Sequence, residues 1–185
     1  MKSDLVTAGH IAAPRQVLTF SVGPEHYGVD ILRVQEIRGW SPVTKIPKLP
    51  PQVLGVLHLR DSIVPILDLR VKFNLAQAEF TPVTVIIVLS VDSADGLREF
   101  GLVVDAVRDV VDIAPEHLKE TPSLGGRSPP FILGLAAQGE RMLILLNVDE
   151  LINRDMEQVP LDGAANIAAG GQAAALPPSL IQGTS

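Results

Sequence analysis

The chain has 185 residues, 46% hydrophobic and 19% charged, the composition of a folded domain rather than a disordered segment. Lys and Arg total 15 against 21 Asp and Glu, a net charge of -6, so the clustered positive charge with which nucleic-acid and polybasic membrane binders meet phosphates is missing. There is no Cys, which excludes disulfides, thiolate zinc sites and a cysteine nucleophile.

Residues 1–14 mix small and polar side chains without a sustained period and read as a loose arm; they lack the apolar core of a secretory signal. From about residue 15 the apolar runs are short and β-branched, with Gly, Pro, Asp and Ser between them. Val17–Val22 reads as the first strand. Ile31–Ile37 places Ile31, Val34 and Leu32 toward one side at helical spacing. Ile63–Leu67 and Val83–Leu89 return to strand character. The apolar run from Val83 to Val91 is the longest in the chain. It is far shorter than the roughly 20 residues a membrane-spanning helix needs. Phe100–Val104 is a further strand, Pro115–Leu118 starts a helical turn on a proline, Met142–Leu146 is a strand and Val148–Ile152 a short helix. Residues 156–185 change composition to Ala, Gly and Pro, as in Ala173-Ala174-Ala175 and Pro177-Pro178, and predict a mobile tail that trimming would remove without loss of the 15–155 core.

The dense region repeats itself. Val53–Leu69 lies without gaps on Ile132–Val148, with Leu54/Leu133, Gly55/Gly134 and Leu67/Leu146 identical. In both copies a polar tip, Arg60-Asp61-Ser62 or Gly139-Glu140-Arg141, separates two apolar arms, which is hairpin chemistry. A second pair precedes it: Tyr27-Gly28 to Ile37 resembles Phe100-Gly101 to Ile113, each running aromatic-Gly, strand, Asp, turn, strand. The order unit, hairpin, unit, hairpin predicts two small β-barrels of similar topology, side by side.

A catalytic constellation is not legible. His10, His26, His58 and His117 have no partners at metal-ligand spacing, and the carboxylate pairs Asp109 with Asp112 and Asp149 with Glu150 read as solvated charges. No nucleophile elbow, phosphate loop or dinucleotide fingerprint is present. The expectation is a binding module, not an enzyme, with no cofactor and no metal.

The run Tyr27–Gly39, the segment Leu54–Arg70, the strand Gly101–Val107 and Gly134–Asn147 together resemble the CheW family of bacterial chemotaxis coupling proteins over about 15–155. The resemblance implies an all-β fold of two pseudo-repeated five-stranded SH3-like barrels with a few short helices. It also implies a non-catalytic adaptor, cytoplasmic and recruited to receptor arrays. Its partners would be the cytoplasmic tips of chemoreceptors and the regulatory domain of the histidine kinase CheA, with no nucleic acid and no membrane insertion. Carried over singly, Val34, Gly55 and Arg60 match receptor-facing positions, and Glu36 and Leu124 match positions of coupling and kinase binding. Glu36 and Arg60 are expected to lie close in space. The family's Asn-Leu-Arg-Gly reads His58-Leu59-Arg60-Asp61 here, and Asp takes positive φ less readily than Gly, so this hairpin tip is expected to differ. Two alternatives are a CheW-like scaffold of a chemosensory pathway other than chemotaxis and a small β-barrel ligand-binding protein. A receiver domain does not fit in the roughly 30 residues beyond 155.

Overall fold

The structure is a computed structural model that describes residues 16–75, 79–122 and 128–157. The arm, most of the tail and Leu124 lie outside the described residues. Among the described residues eleven strands form two antiparallel-rich sheets. In chain order they are β1 (Gln16–Val22), β2 (Glu25–Asp30), β3 (Val34–Gly39), β4 (Val53–Leu59), β5 (Ser62–Asp68), β6 (Val85–Ser93), β7 (Gly96–Val104), β8 (Ala106–Asp112), β9 (Leu118–Lys119), β10 (Ile132–Gln138) and β11 (Arg141–Leu146). Two helices follow the two hairpins, α1 (Leu69–Lys72) after β5 and α2 (Val148–Met156) after β11.

The repeat is present, but neither barrel is one copy of it. One sheet runs β3-β6-β7-β5-β4 and the other β8-β1-β2-β11-β10-β9. Position for position, β3 corresponds to β8, β6 to β1, β7 to β2, β5 to β11 and β4 to β10. Each barrel therefore takes two strands from one half of the chain and its hairpin from the other. The cross-half joints include two parallel pairings, Ile66 opposite Gly101 and Leu145 opposite Gly28, beside the antiparallel pairings of β3 with β6 and β1 with β8. The aromatic-Gly dipeptides Tyr27-Gly28 and Phe100-Gly101 thus sit at equivalent crossings. A Cβ on Gly101 would meet Ile66 Cδ1 at 2.5 Å, so the glycine is what lets β5 close on β7.

The two hairpins match in detail. Both carry a bulge at their first turn of pairing, between Val53 and Gly55 and between Ile132 and Gly134. Thr44 bridges Val56 as Lys119 pairs with Leu135, so each bulge glycine has a backbone segment lying on it. A Cβ on Gly55 would collide with the Thr44 carbonyl, and its φ of 150° lies where L residues are strained. Both hairpins end in the same cap: Asp68 accepts from the Arg70 N–H, and Asn147 accepts from the Asp149 and Glu150 N–H groups.

Strand alternation divides the apolar residues among three clusters. Ile86 and Val88 enter the interior of the β3–β7 barrel with Val64, Ile66 and Val103. Ile87 and Leu89 point the other way, into a core shared with Leu18, Phe20 and Val29 of the opposite sheet and with Leu151 and Ile152 of α2. Val17, Leu143 and Leu145 fill the second barrel. A strand buried on both faces cannot alternate apolar and polar residues, and this is why β6 reads as a continuous apolar run. The residues 31–37 that show helical spacing form only one 3-10 turn, Ile31–Arg33, before β3 begins, because the chain needs a corner between the barrels rather than a helix.

Two outcomes follow from this packing. Gly55→Ala should lower stability by about 1–3 kcal/mol in chemical denaturation, whereas Gly39→Ala, with open space around its Cβ, should stay within about 0.5 kcal/mol of the parent. Burial, with the Glu25 charge adding to it, pushes the Tyr27 phenol above its usual 10.0. The folded chain then keeps a proton that the unfolded chain releases, so stability should be intact below pH 10 and fall as the pH rises above it. Tyr27→Phe should flatten that fall in alkaline denaturation curves.

Candidate protein-interaction site

A bulge sets the site. In the pairing of β3 with β6, Val34 lies opposite Leu89 but Glu36 lies opposite Val88, with the register shifting between them. Leu89 belongs to the shared core and Val88 to the barrel interior, so Val34 and Glu36 point to opposite faces although they are two residues apart. Val34 packs against the shared core. Glu36 turns to the mouth of the β3–β7 barrel, where it meets Arg60 from the β4–β5 tip at 3.5 Å. The expected proximity of Glu36 and Arg60 holds. Glu36 lies within β3.

The contact crosses from β3 to the hairpin at the far edge of the sheet, since β3 and β4 are the two ends of the strand order. Below it lies a cleft of about 230 Å³ lined by Gln35, Glu36, Leu59, Arg60, Asp61, Ser62, Val88 and Glu99. Arg38 approaches the other Glu36 oxygen at 4.0 Å. The Arg60 side chain is 79% exposed and Glu36 35%, so an ion pair at this distance contributes about 0–1 kcal/mol to folding. It leaves the guanidinium free to present its planar fork to another carboxylate.

The tip differs from expectation in one respect. Positive φ falls on Arg60, at 54°, and not on Asp61; Gly139 holds the equivalent place in the other hairpin at 61°. A two-residue turn needs this geometry at its first residue, and here an arginine supplies it at a cost of about 1–2 kcal/mol. Gly55 stands five residues earlier on β4, about 17 Å from Arg60 at strand rise, so the structure does not gather Val34, Gly55 and Arg60 into one spot. Sequence reasoning missed Glu99, Gln35 and Arg38. Glu99 was readable as a lone carboxylate two residues before Gly101 in an apolar strand, but its cleft position needs the parallel pairing of β5 with β7.

Among the described residues no helix is long and apolar enough to cross a membrane, and no group of three His, Asp or Glu side chains is placed to hold a metal ion. An exposed arginine–carboxylate contact over a polar cleft is recognition chemistry, and two barrels joined through one core form a rigid frame for it: the fold and the site are those of a scaffold-type binding protein. A family model for the CheW-like domain matches residues 16–156. The chain belongs to the CheW-like family of chemotaxis proteins. It is 41% identical over 152 residues to the chemotaxis protein CheW of Klebsiella aerogenes, covering 82% of this chain and 89% of the relative. It is 37% identical over 138 residues to that of Rhizobium meliloti, covering 74% and 86%. The crystal structure of the scaffolding protein TtCheW from Thermoanaerobacter tengcongensis matches with a TM-score of 0.67 at 29% identity, covering 77% of this chain and 90% of that one.

Because the strain at position 60 is local, Arg60→Gly should raise stability by about 1 kcal/mol, while Arg60→Ala, which keeps the strained φ and loses only an exposed pair, should leave it within about 1 kcal/mol of the parent. Urea midpoints of the three proteins check this.

Proposed function

We propose that this protein is an adaptor without chemistry of its own, which couples the cytoplasmic tips of transmembrane chemoreceptors to the regulatory domain of the histidine kinase CheA. It would act in the cytoplasm at receptor arrays. The observation that carries the reading is the Glu36–Arg60 contact at the mouth of the β3–β7 barrel, in a chain that belongs to a family of chemotaxis scaffolds.

Coupling of this kind asks for a rigid body with a releasable contact at its surface. The shared core supplies the rigid body, since it ties both barrels together through fully buried Phe20, Leu67, Ile87, Leu102 and Leu151. Arg60 supplies the releasable contact. Its 3.5 Å pairing is loose by hydrogen-bond standards, and its exposed fork re-pairs with a partner carboxylate at little cost. When Arg60 turns outward, Glu36 keeps Arg38 as a neighbouring cation, so no carboxylate is left stranded. In this reading Arg60 faces the receptor and Glu36 the kinase. Gly55 and Val34 act indirectly: Gly55 lets the Thr44 segment lie against β4, and Val34 anchors β3 to the shared core. Leu124 is assigned to the kinase side on the family resemblance.

Kinase activity reconstituted with receptor membranes, read beside a binding titration with the kinase regulatory domain alone, tests the proposal. Arg60→Ala should lower receptor-stimulated activity several-fold and change kinase binding much less, whereas Glu36→Ala should weaken both. Undiminished receptor-stimulated activity in folded Arg60→Ala protein would remove Arg60 from the coupling surface.

A further inference from the structure

The exchange of strands between halves raises a question of specificity. Both halves have the same strand order, the same bulge position and the same parallel joint, so the backbone also allows like halves from two copies of the chain to pair, and only the covalent link favours the two halves of one copy. The side chains at the joints must discriminate, and the charges there are inverted between halves.

At each joint the start of the helix after one half's hairpin meets the corner that follows the other half's second strand. The start of α1 carries Arg70, and it meets Asp105 at the corner between β7 and β8, with Nη1 at 3.5 Å from Oδ1. The start of α2 carries Asp149 in the position equivalent to Arg70, and it meets Arg33 at the corner between β2 and β3, at 2.7 Å. Asp92 reinforces the second joint through Arg33 at 3.1 Å and through its N–H, which donates to Asp149 Oδ1 at 2.8 Å. Asp105 is also fixed, accepting from the Gly23 N–H at 2.7 Å.

Unlike halves thus bring opposite charges together at both joints. Two second halves would set Asp105 against Asp149, with Asp92 beside it and neither Arg33 nor Arg70 at hand. Two first halves would set Arg33 against Arg70, softened by Asp68 in the same half. Arg70 gives its Nε and Nη2 to Asp68 at 3.0 and 2.8 Å, so this contact repels less than the one between the two carboxylates. We propose that this charge inversion is a selection device: it directs each half to its own partner within the chain and rejects a second copy of the same half, by repulsion as much as by attraction. Such a device suits a chain whose every barrel stays incomplete until both halves have been made.

The full-length chain, unfolded in denaturant and refolded by dilution at low and high protein concentration, tests this when the monomer and dimer fractions are read by size-exclusion chromatography with light scattering. Asp149→Asn and Arg33→Gln both break the Arg33–Asp149 pair. Asp149→Asn also removes the carboxylate that Asp105 of a second copy would meet, whereas Arg33→Gln relieves only the contact with Arg70, which Asp68 already neutralises in its own half. The expected result is several-fold more dimer for Asp149→Asn than for Arg33→Gln after concentrated refolding, with both monomeric after dilute refolding. Equal dimer fractions in the two variants, or concentration-independent refolding of both, would overturn the proposal. Should Asp149→Asn fail to refold, Asp105→Asn removes the other carboxylate of the same rejected pair and must show the same excess over Arg33→Gln.

Discussion

The parallel pairing of β5 with β7, matched by that of β11 with β2, is the constraint on which the molecule depends. A parallel pair cannot be closed by a tight turn; it requires a long crossover, and here the crossovers are residues 69–95 and 31–140. Because each pairing joins strands from different halves, neither half can complete a barrel, and hydrogen bonding in one barrel presupposes the other. The glycines at the joints, Gly28 and Gly101, follow from the same constraint. A Cβ at either would push into Leu145 or Ile66, the residues that the pairing itself brings opposite. A fold so rich in distant contacts is expected to form slowly and as a unit.

Polar groups near the joints are handled with care. Asp68 and Arg70 are almost fully buried, with side chains 6% and 3% exposed, and they form a two-pronged pair that also caps α1. The hydrogen bonds that Arg70 donates to Asp68 favour the charged guanidinium and raise its pKa above the ordinary value. The ring of Phe80 covers Arg70 at 4.9 Å and is itself stacked on Trp40 at 3.9 Å. A charge kept from water is tolerable when its donors are used and an aromatic face lies over it. Lys72 meets Asp155 of α2 in a second mostly buried pair, so the short helix between the halves is tied to the C-terminal helix as well as to the hairpin behind it.

Against this rigid interior the interaction site is built lightly. Its ion pair is loose and exposed, its cleft is lined mostly by polar side chains, and its arginine sits at a strained φ where the opposite hairpin has glycine. Strain held at an exposed position by a stiff frame is a recurring mark of functional surfaces. The frame bears it because the hairpin arms beneath, with Val64 and Leu59 buried, are anchored in the barrel interior.

The linear order of residues determined much of this. Short β-branched runs with turn residues between them decided that the chain is built of strands, and the gapless match of Val53–Leu69 with Ile132–Val148 decided that its hairpins are equivalent, because hydrophobic period and turn chemistry are local properties. The resemblance carried by Tyr27–Gly39 and Leu54–Arg70 pointed to the family and to Glu36 and Arg60. Only the tertiary structure decided which strands share a barrel, since pairing between halves depends on contacts far apart in the chain that no local pattern encodes. It also decided that a bulge at Gln35 sends Val34 and Glu36 to opposite faces, that Arg60 rather than Asp61 bears the positive φ, and that Glu99 lines the cleft. Each of these turns on register, and a shift of one residue in register exchanges the two faces of a strand without changing a letter of the sequence.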